Sequence, residues 1–538
     1  MLKKIFLSAL AILIIAGCKK APLNIGPPNQ YSTSTYPQTV NDLQTVLVSC
    51  YSNLRDQGLY GFHWLPKAMS NSMHTVNSEY NGDPGWNEMA ANNLTVGNEY
   101  PSETWAACYT GIKNCNVTIY AAGVLQQVNP SVDKTAINLI LGQAYCLRGW
   151  YYMQLACLFN QAYLGAGGTN GTKMGVPLYT AVPTDLSQTQ VARSSVADTW
   201  ALIISDEKQA ASLLKGQVWP STDLARCTEW AAKGLLGKAY IYTQDWADAK
   251  TTLTDVIQNS GKTLMPYATY HDAFNGNNKF NSESLLELYI DQNSMGGYGI
   301  YSGAANSSTI NGLIWAPRTF GGYNGSTPFD GTEASTQALG YPNEFVHDQN
   351  VKRFGFPLPT SYNLVDNPNF KSSQPASFLN PKQVIDPNYK SQALAVRANQ
   401  TCDPRLFVNT LEPWVDSVKY DGTNYALVSK PDVYAFDQTH YGFSMRKYSP
   451  IDYNENTINS DKWDYYLLRL ADVYLLYAEA CSQTSDVANA VEYLNKVKRR
   501  AYNLPVNAPS AIDYKSLTDV TPANAAGDPI LGHNPLYY

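Results

Sequence analysis

The chain has 538 residues, enough for a large core and, by length alone, roughly three domains. Charged residues make up 15%, below the roughly 25% usual for soluble domains, while aromatics reach 12% with 39 tyrosines. The net charge of −6 offers no basic stripe and argues against nucleic acid; a tyrosine-rich surface of low charge suits neutral, hydroxyl-rich ligands or a protein partner.

Residues 1–17 read as a secretory signal: Lys3 and Lys4 precede an apolar run from Ile5 to Ile15 that is too short to span a bilayer and ends in Ala16-Gly17. The Ile-Ala-Gly-Cys ending resembles a bacterial lipobox, so Cys18 is the expected lipidation site. Several acyl chains, palmitate among them, hold far better than one. Residues 18–40, with Pro22, Gly26, Pro27 and Pro28, read as a flexible tether. Export brings disulfides into question for the other eight cysteines. Cys108/Cys115 and Cys146/Cys157 would lie about 10 and 16 Å apart along their helices, too far to bridge, and buried free thiols are the expectation. No C-x-x-C or His-Cys cluster occurs, so no metal and no cofactor is expected.

A first helix is predicted over Asn41–Leu54. The stretch from Gly58 to Pro101 loses the helical period yet carries Trp64, Tyr80 and Trp86. Helix returns over Glu103–Ala121. A long helix then holds Ile137, Ile140, Ala144, Tyr145, Tyr151, Leu155 and Leu158 at spacings of three and four with small deviations, and stops before Gly165, Gly167, Gly168 and Gly171. Arg148 sits beside this aromatic stripe, and its guanidinium needs a fixed partner. Pro177 keeps Gly175-Val176-Pro177-Leu178 out of helix. Ser194 or Ser195 is the predicted N-cap of the next helix. Leu236-Gly237-x-x-Tyr240 with Ala249-x-x-x-Leu253 has tetratricopeptide-repeat spacing, and a comparable pair runs from Arg469 to Ala501. Between them, residues 291–460 are rich in Gly, Asn, Pro, Ser and Tyr, as expected of a functional insertion.

These segments together resemble the SusD/RagB family. The resemblance rests on Arg148, Tyr151, Tyr152 and Leu155 with Gly175-Val176-Pro177-Leu178. Trp105, Tyr109, Ile112 and Asn116 match a second motif, as do Asp206 and Ala210 after Arg193-x-Ser195-Val196. Further along, Asp403-Pro404-Arg405-Leu406 and Arg446-Lys447-Tyr448 match, then Arg469, Ala471, Asp472, Val473, Leu476, Tyr477, Ala478, Glu479 and Ala480, and finally Leu494, Asn495, Val497, Arg500 and Ala501. The motifs keep the family's order. The resemblance implies a mainly all-α fold of tetratricopeptide-like repeats. It divides the chain into a helical region at 41–290, a loop-rich insertion at 291–460 carrying the binding surface, and a C-terminal repeat region at 461–538. A family helix beyond the last motif is missing, through truncation or through loss of the element in this member, and truncation of 461–538 is the expectation.

The resemblance also implies a lipid-anchored, surface-exposed outer-membrane protein that passes a nutrient to a SusC-like TonB-dependent transporter. An oligosaccharide is the expected ligand and a peptide the main rival. Sugar capture requires aromatic faces beside hydrogen-bonding groups on loops carried by a rigid scaffold. Trp64, Tyr80, Asp83 and Trp86 from the first loop region, and Tyr298, Tyr301, Trp315, Arg318 and Tyr323 from the second, are the candidate ligand contacts, with Trp86 and Trp315 foremost. No nucleophile elbow, P-loop or H-E-x-x-H is present, and a non-enzyme is expected. A protein-binding repeat scaffold and a glycosidase working through two carboxylates are the other classes.

Overall fold

The computed structural model describes residues 36–62, 76–78, 84–90, 93–291, 315, 317, 344–357, 364–375, 380, 382–413, 415–419, 425–428, 432–433, 441–449 and 462–520. The signal segment and Cys18 lie outside them.

Local caps set the helix starts. Thr39 and Asp42 form a reciprocal capping box on α1 (Val40–Ser52), satisfying backbone donors that the first turn leaves unpaired. After the short α2 (Pro84–Ala90), Asn98 caps α3 (Glu99–Val128), which extends past both predicted ends. Asp133 caps α4 (Lys134–Phe159), whose apolar face is buried from Ile137 through Leu155, while Leu158 is 45% exposed. Ser195 is the N-cap of α5 (Val196–Leu213) and accepts from the Asp198 amide at 3.0 Å. These helices pack in sequence, α1 on α3, α3 on α4, α4 on α5.

The repeat spacing folds as expected. Helices α6 (Glu229–Tyr242) and α7 (Trp246–Asn259) form one antiparallel pair, and near the C-terminus α10 (Leu470–Gln483) and α11 (Val487–Ala501) form another. A Cβ on Gly237 would stand 2.4 Å from a Leu253 methyl, so glycine allows the close crossing. Ion pairs tie the two hairpins together: Lys238 to Asp472 at 2.9 Å and Lys250 to Asp486 at 2.7 Å. Asp472 thus serves repeat packing.

Strands carry the remainder. β2 (Met174–Pro177) pairs with β3 (Arg193–Ser195), and β4 (Ser284–Leu288) pairs antiparallel with β12 (Tyr465–Arg469). Glu283, fully buried before β4, accepts from Arg469 at 2.5 Å and from Arg500 of α11 at 2.6 Å. A four-stranded sheet has the order β1 (Val76–Ser78), β5 (Glu344–His347), β11 (Tyr441–Ser444), β10 (Asp432–Val433). Among the described residues of 291–460 there are also two small hairpins, Leu364–Asp366 with Gln383–Ile385 (β6, β7) and Ser417–Lys419 with Tyr425–Leu427 (β8, β9), the helices α8 (Asp348–Arg353) and α9 (Pro387–Ala398), and a single turn at Leu406–Asn409. The fold is mainly helical and tetratricopeptide-like, with strands concentrated in the loop-rich region. One hydrophobic core cluster runs from Leu43 on α1 to Ala490 on α11.

Candidate ligand-binding site

Arg148 anchors the helical scaffold. It is 5% exposed, and Nε and Nη2 donate to the two Asp206 oxygens at 2.8 and 2.6 Å. Nη1 donates to Asn116 Oδ1 at 2.7 Å and to the Thr180 carbonyl at 3.3 Å. Burial works against the guanidinium charge, and Asp206 outweighs it, raising the Arg148 pKa. Asn116 Nδ2 in turn donates to the Tyr179 carbonyl at 2.8 Å, and the Tyr109 hydroxyl donates to the Pro177 carbonyl at 2.8 Å. The Tyr152 hydroxyl accepts from the Tyr179 amide at 2.7 Å and donates to its carbonyl at 3.1 Å. A Cβ at Gly175 would sit 2.2 Å from Thr199 Oγ1 and 2.4 Å from the Ser195 carbonyl. The motif residues around Gly175–Leu178 therefore satisfy the backbone of a segment pinned across three helices.

The two loop regions meet in one sheet. β1, from the first, pairs antiparallel with β5, from the second, with Val76 opposite Val346, Asn77 opposite Phe345 and Ser78 opposite Glu344. β11 extends the sheet on the other side of β5.

Trp86 and Trp315 root these regions in the core. Trp86, on α2, is 2% exposed and packs edge to face with Phe62 at 6.3 Å and Tyr100 at 6.5 Å. Glu88 holds α2 to the start of α3 through the Thr95 amide at 3.0 Å and Asn98 Nδ2 at 3.0 Å, and the first of these contacts does most to keep its carboxyl below the usual range. Trp315 is fully buried, its ring 5.5 Å from Tyr448, and the Ser449 hydroxyl donates to its carbonyl. The ring contacts continue from Tyr448 to Tyr465 at 4.8 Å, to Tyr60 at 5.3 Å and to Trp150 at 6.1 Å. Both indoles, foremost among the expected stacking faces, are covered by protein. Trp64, Tyr80, Asp83, Tyr298, Tyr301, Arg318 and Tyr323 lie outside the described residues.

One buried carboxyl pair stands out. Glu287 of β4 and Asp464, just before β12, are 3% and 1% exposed and close enough for each carboxyl to act on the other's charge. Burial, then the Asp464 charge, pushes Glu287 up to about 8. Lys279 Nζ reaches Asp464 at 2.6 Å and the Ile290 carbonyl at 2.6 Å. Asp464 also accepts from the Ile290 amide at 2.8 Å, which ties the end of β4 to the start of β12. The eight described cysteines are free thiols, seven buried and Cys157 exposed.

Residues 240–521 match the family model described as SusD family, and residues 28–241 match one described as starch-binding, associating with the outer membrane. A SusD-like protein, P25, from Formosa agariphila is 23% identical over 493 residues, covering 87% of this chain and 76% of its own. Among solved structures, a laminarin-binding SusD-like protein superposes with a TM-score of 0.58 at 20% identity, covering 90% of this chain and 87% of its own. A SusD homolog from Bacteroides thetaiotaomicron has a TM-score of 0.58 at 19% identity, covering 91% and 84%.

Proposed function

Because the chain belongs to the SusD family, a family of carbohydrate-binding, outer-membrane-associated proteins, we propose that it captures an oligosaccharide at the cell surface and delivers it to a SusC-like TonB-dependent transporter. In this reading Cys18 carries the lipid anchor and the chain performs no chemistry on its ligand. The observation that carries the site is the pairing of β1 with β5, which brings the two aromatic-bearing loop regions into one sheet. A site shared between segments about 270 residues apart in sequence requires such a junction, and the helical scaffold supplies the rigidity that loop-borne contacts need. The laminarin-binding neighbour supports a glycan over a peptide.

Within this proposal Trp86 and Trp315 anchor the two loop regions, while Trp64, Tyr80, Tyr298, Tyr301 and Tyr323 supply ring faces and Asp83 and Arg318 supply hydrogen bonds. Trp64→Ala with Tyr301→Ala is expected to weaken retention in a polysaccharide-containing gel by at least tenfold, with an unchanged melting temperature, since each lost ring contact is worth about 0.5–1.5 kcal/mol beyond its buried area. Unchanged retention would move the site off these loops.

A further inference from the structure

A second concavity lies on the helical scaffold, between α3 and the segment that follows β2. Its volume is about 420 Å³, within the roughly 300–1,000 Å³ range of small-molecule sites. Trp105, Tyr109 and Tyr179 form its aromatic walls, with Lys113, Asn116 and Thr189 among its polar groups. The rings make a corner. Trp105 and Tyr109 are 4.9 Å apart at 53°, and Tyr109 meets Tyr179 at 5.7 Å and 89°. Phe159, outside the lining, supports the indole at 5.1 Å.

Both phenols are fixed in advance. The Tyr109 hydroxyl donates to the Pro177 carbonyl and the Tyr179 hydroxyl to the Thr189 carbonyl, each at 2.8 Å. A ligand entering here meets rings that have already lost their rotamer freedom, which lowers the cost of ordering them. Asn116 is buried and committed at both ends of its amide, to Arg148 and to the Tyr179 carbonyl, so it forms wall. Lys113, one turn beyond Tyr109, is exposed and is the single charged residue of the lining. Its ammonium offers donors to oxygens at the rim. No carboxylate lines the cleft to receive a peptide's cationic groups. A pyranose with equatorial hydroxyls fits this chemistry: its axial C–H bonds present apolar faces to the rings while its oxygens point to the edge.

We propose that the Trp105–Tyr109–Tyr179 cleft is an auxiliary binding site for a glucan chain, distinct from the loop surface. The inference rests on the glycan-binding reading given above. A second contact on the same polymer raises retention through effective concentration, so the site acts more strongly on long chains than on disaccharides.

The test compares the full chain with two cleft variants in gels containing laminarin or soluble starch. Ala106→Trp fills the cleft from an exposed position on α3, and Trp105→Ala removes one wall. Each is expected to weaken polymer binding roughly 3- to 10-fold, with the thermal melt of Ala106→Trp unchanged. Wild-type retention with both variants equal to it overturns the auxiliary site and leaves the glycan-binding reading standing. Loss in Trp105→Ala with Ala106→Trp at the wild-type level also overturns it, since the effect then comes from packing. Absence of wild-type retention on both polymers removes the glucan reading and this inference together.

Discussion

In the N-terminal helices Arg148 and Asp206 meet as one cation and one anion, 5% and 2% exposed; between β4 and β12, Glu287 and Asp464, 3% and 1% exposed, have one ammonium, Lys279, beside them. The first cluster matches one cation to one anion: guanidinium and carboxylate satisfy each other bidentately, burial still raising the Asp206 pKa, and the remaining donors hold backbone and Asn116. The second carries one carboxyl too many for its cation, and Glu287 answers by keeping a proton toward pH 8. Equal burial thus produces one pair matched in charge and one in which a carboxyl keeps its proton. The two should respond differently to mutation and to pH.

The largest effect is expected from Arg148→Met. It strands Asp206 in the core, and breaking a buried pair from one side costs about 3–5 kcal/mol in urea unfolding. Adding Asp206→Leu should return most of that loss, because the penalty lies in the orphaned charge. A double variant as unstable as the single one would mean that the contacts to Asn116 and Thr180 matter more than the pair.

The second cluster is read through pH. An acid whose pKa rises on folding keeps its proton in the folded chain after the unfolded chain has released it. Below the ordinary value of 4.5 both states are protonated and Glu287 costs nothing; as pH rises toward about 8 stability falls, and above that the full penalty is present. At about 1.4 kcal/mol per pKa unit, the loss attributable to Glu287 between pH 5 and 8 amounts to a few kcal/mol. Glu287→Gln should lessen that slope in urea titrations at stepped pH, the remainder coming from other buried carboxyls such as Glu412, which burial pushes up to about 7. A slope equal to wild type would place the proton elsewhere.

The smallest change probes the neutral part of the Arg148 network. Tyr109→Phe removes the hydroxyl that donates to the Pro177 carbonyl and is expected to cost about 1 kcal/mol in thermal or urea unfolding. A loss as large as that of Arg148→Met would show that the strand's attachment, and not the charge pair, carries the scaffold.

The sequence made the Arg148 cluster readable. An arginine beside an apolar aromatic stripe cannot be buried alone, and its partner Asp206 belongs to a motif already singled out. Gly237 and Tyr240 likewise revealed the repeat crossing, because small and large residues at fixed spacing leave one way for the helices to meet. Elsewhere the signal failed for physical reasons. A three-residue strand such as Val76–Ser78 has too few alternations to display a period, and its partner lies over 260 residues away. Helix α9 was missed inside the insertion, although Asp386 before Pro387, with Tyr389, Ala393 and Val396 on its buried face, was a usable start signal. Trp86 and Trp315 show the limit of reading rings singly: an indole in a polar loop sequence covers the core as readily as it covers a sugar. The Glu287–Asp464 pair gave no local sign, since its carboxyls come from strands far apart in the chain.

The most direct test of the central claim is binding of the full chain to a panel of polysaccharides and peptides by calorimetry, with chromatographic analysis of each glycan afterwards. The account expects saturable binding to one glycan class with the polymer recovered intact. Shortened products, or binding confined to peptides, would contradict it.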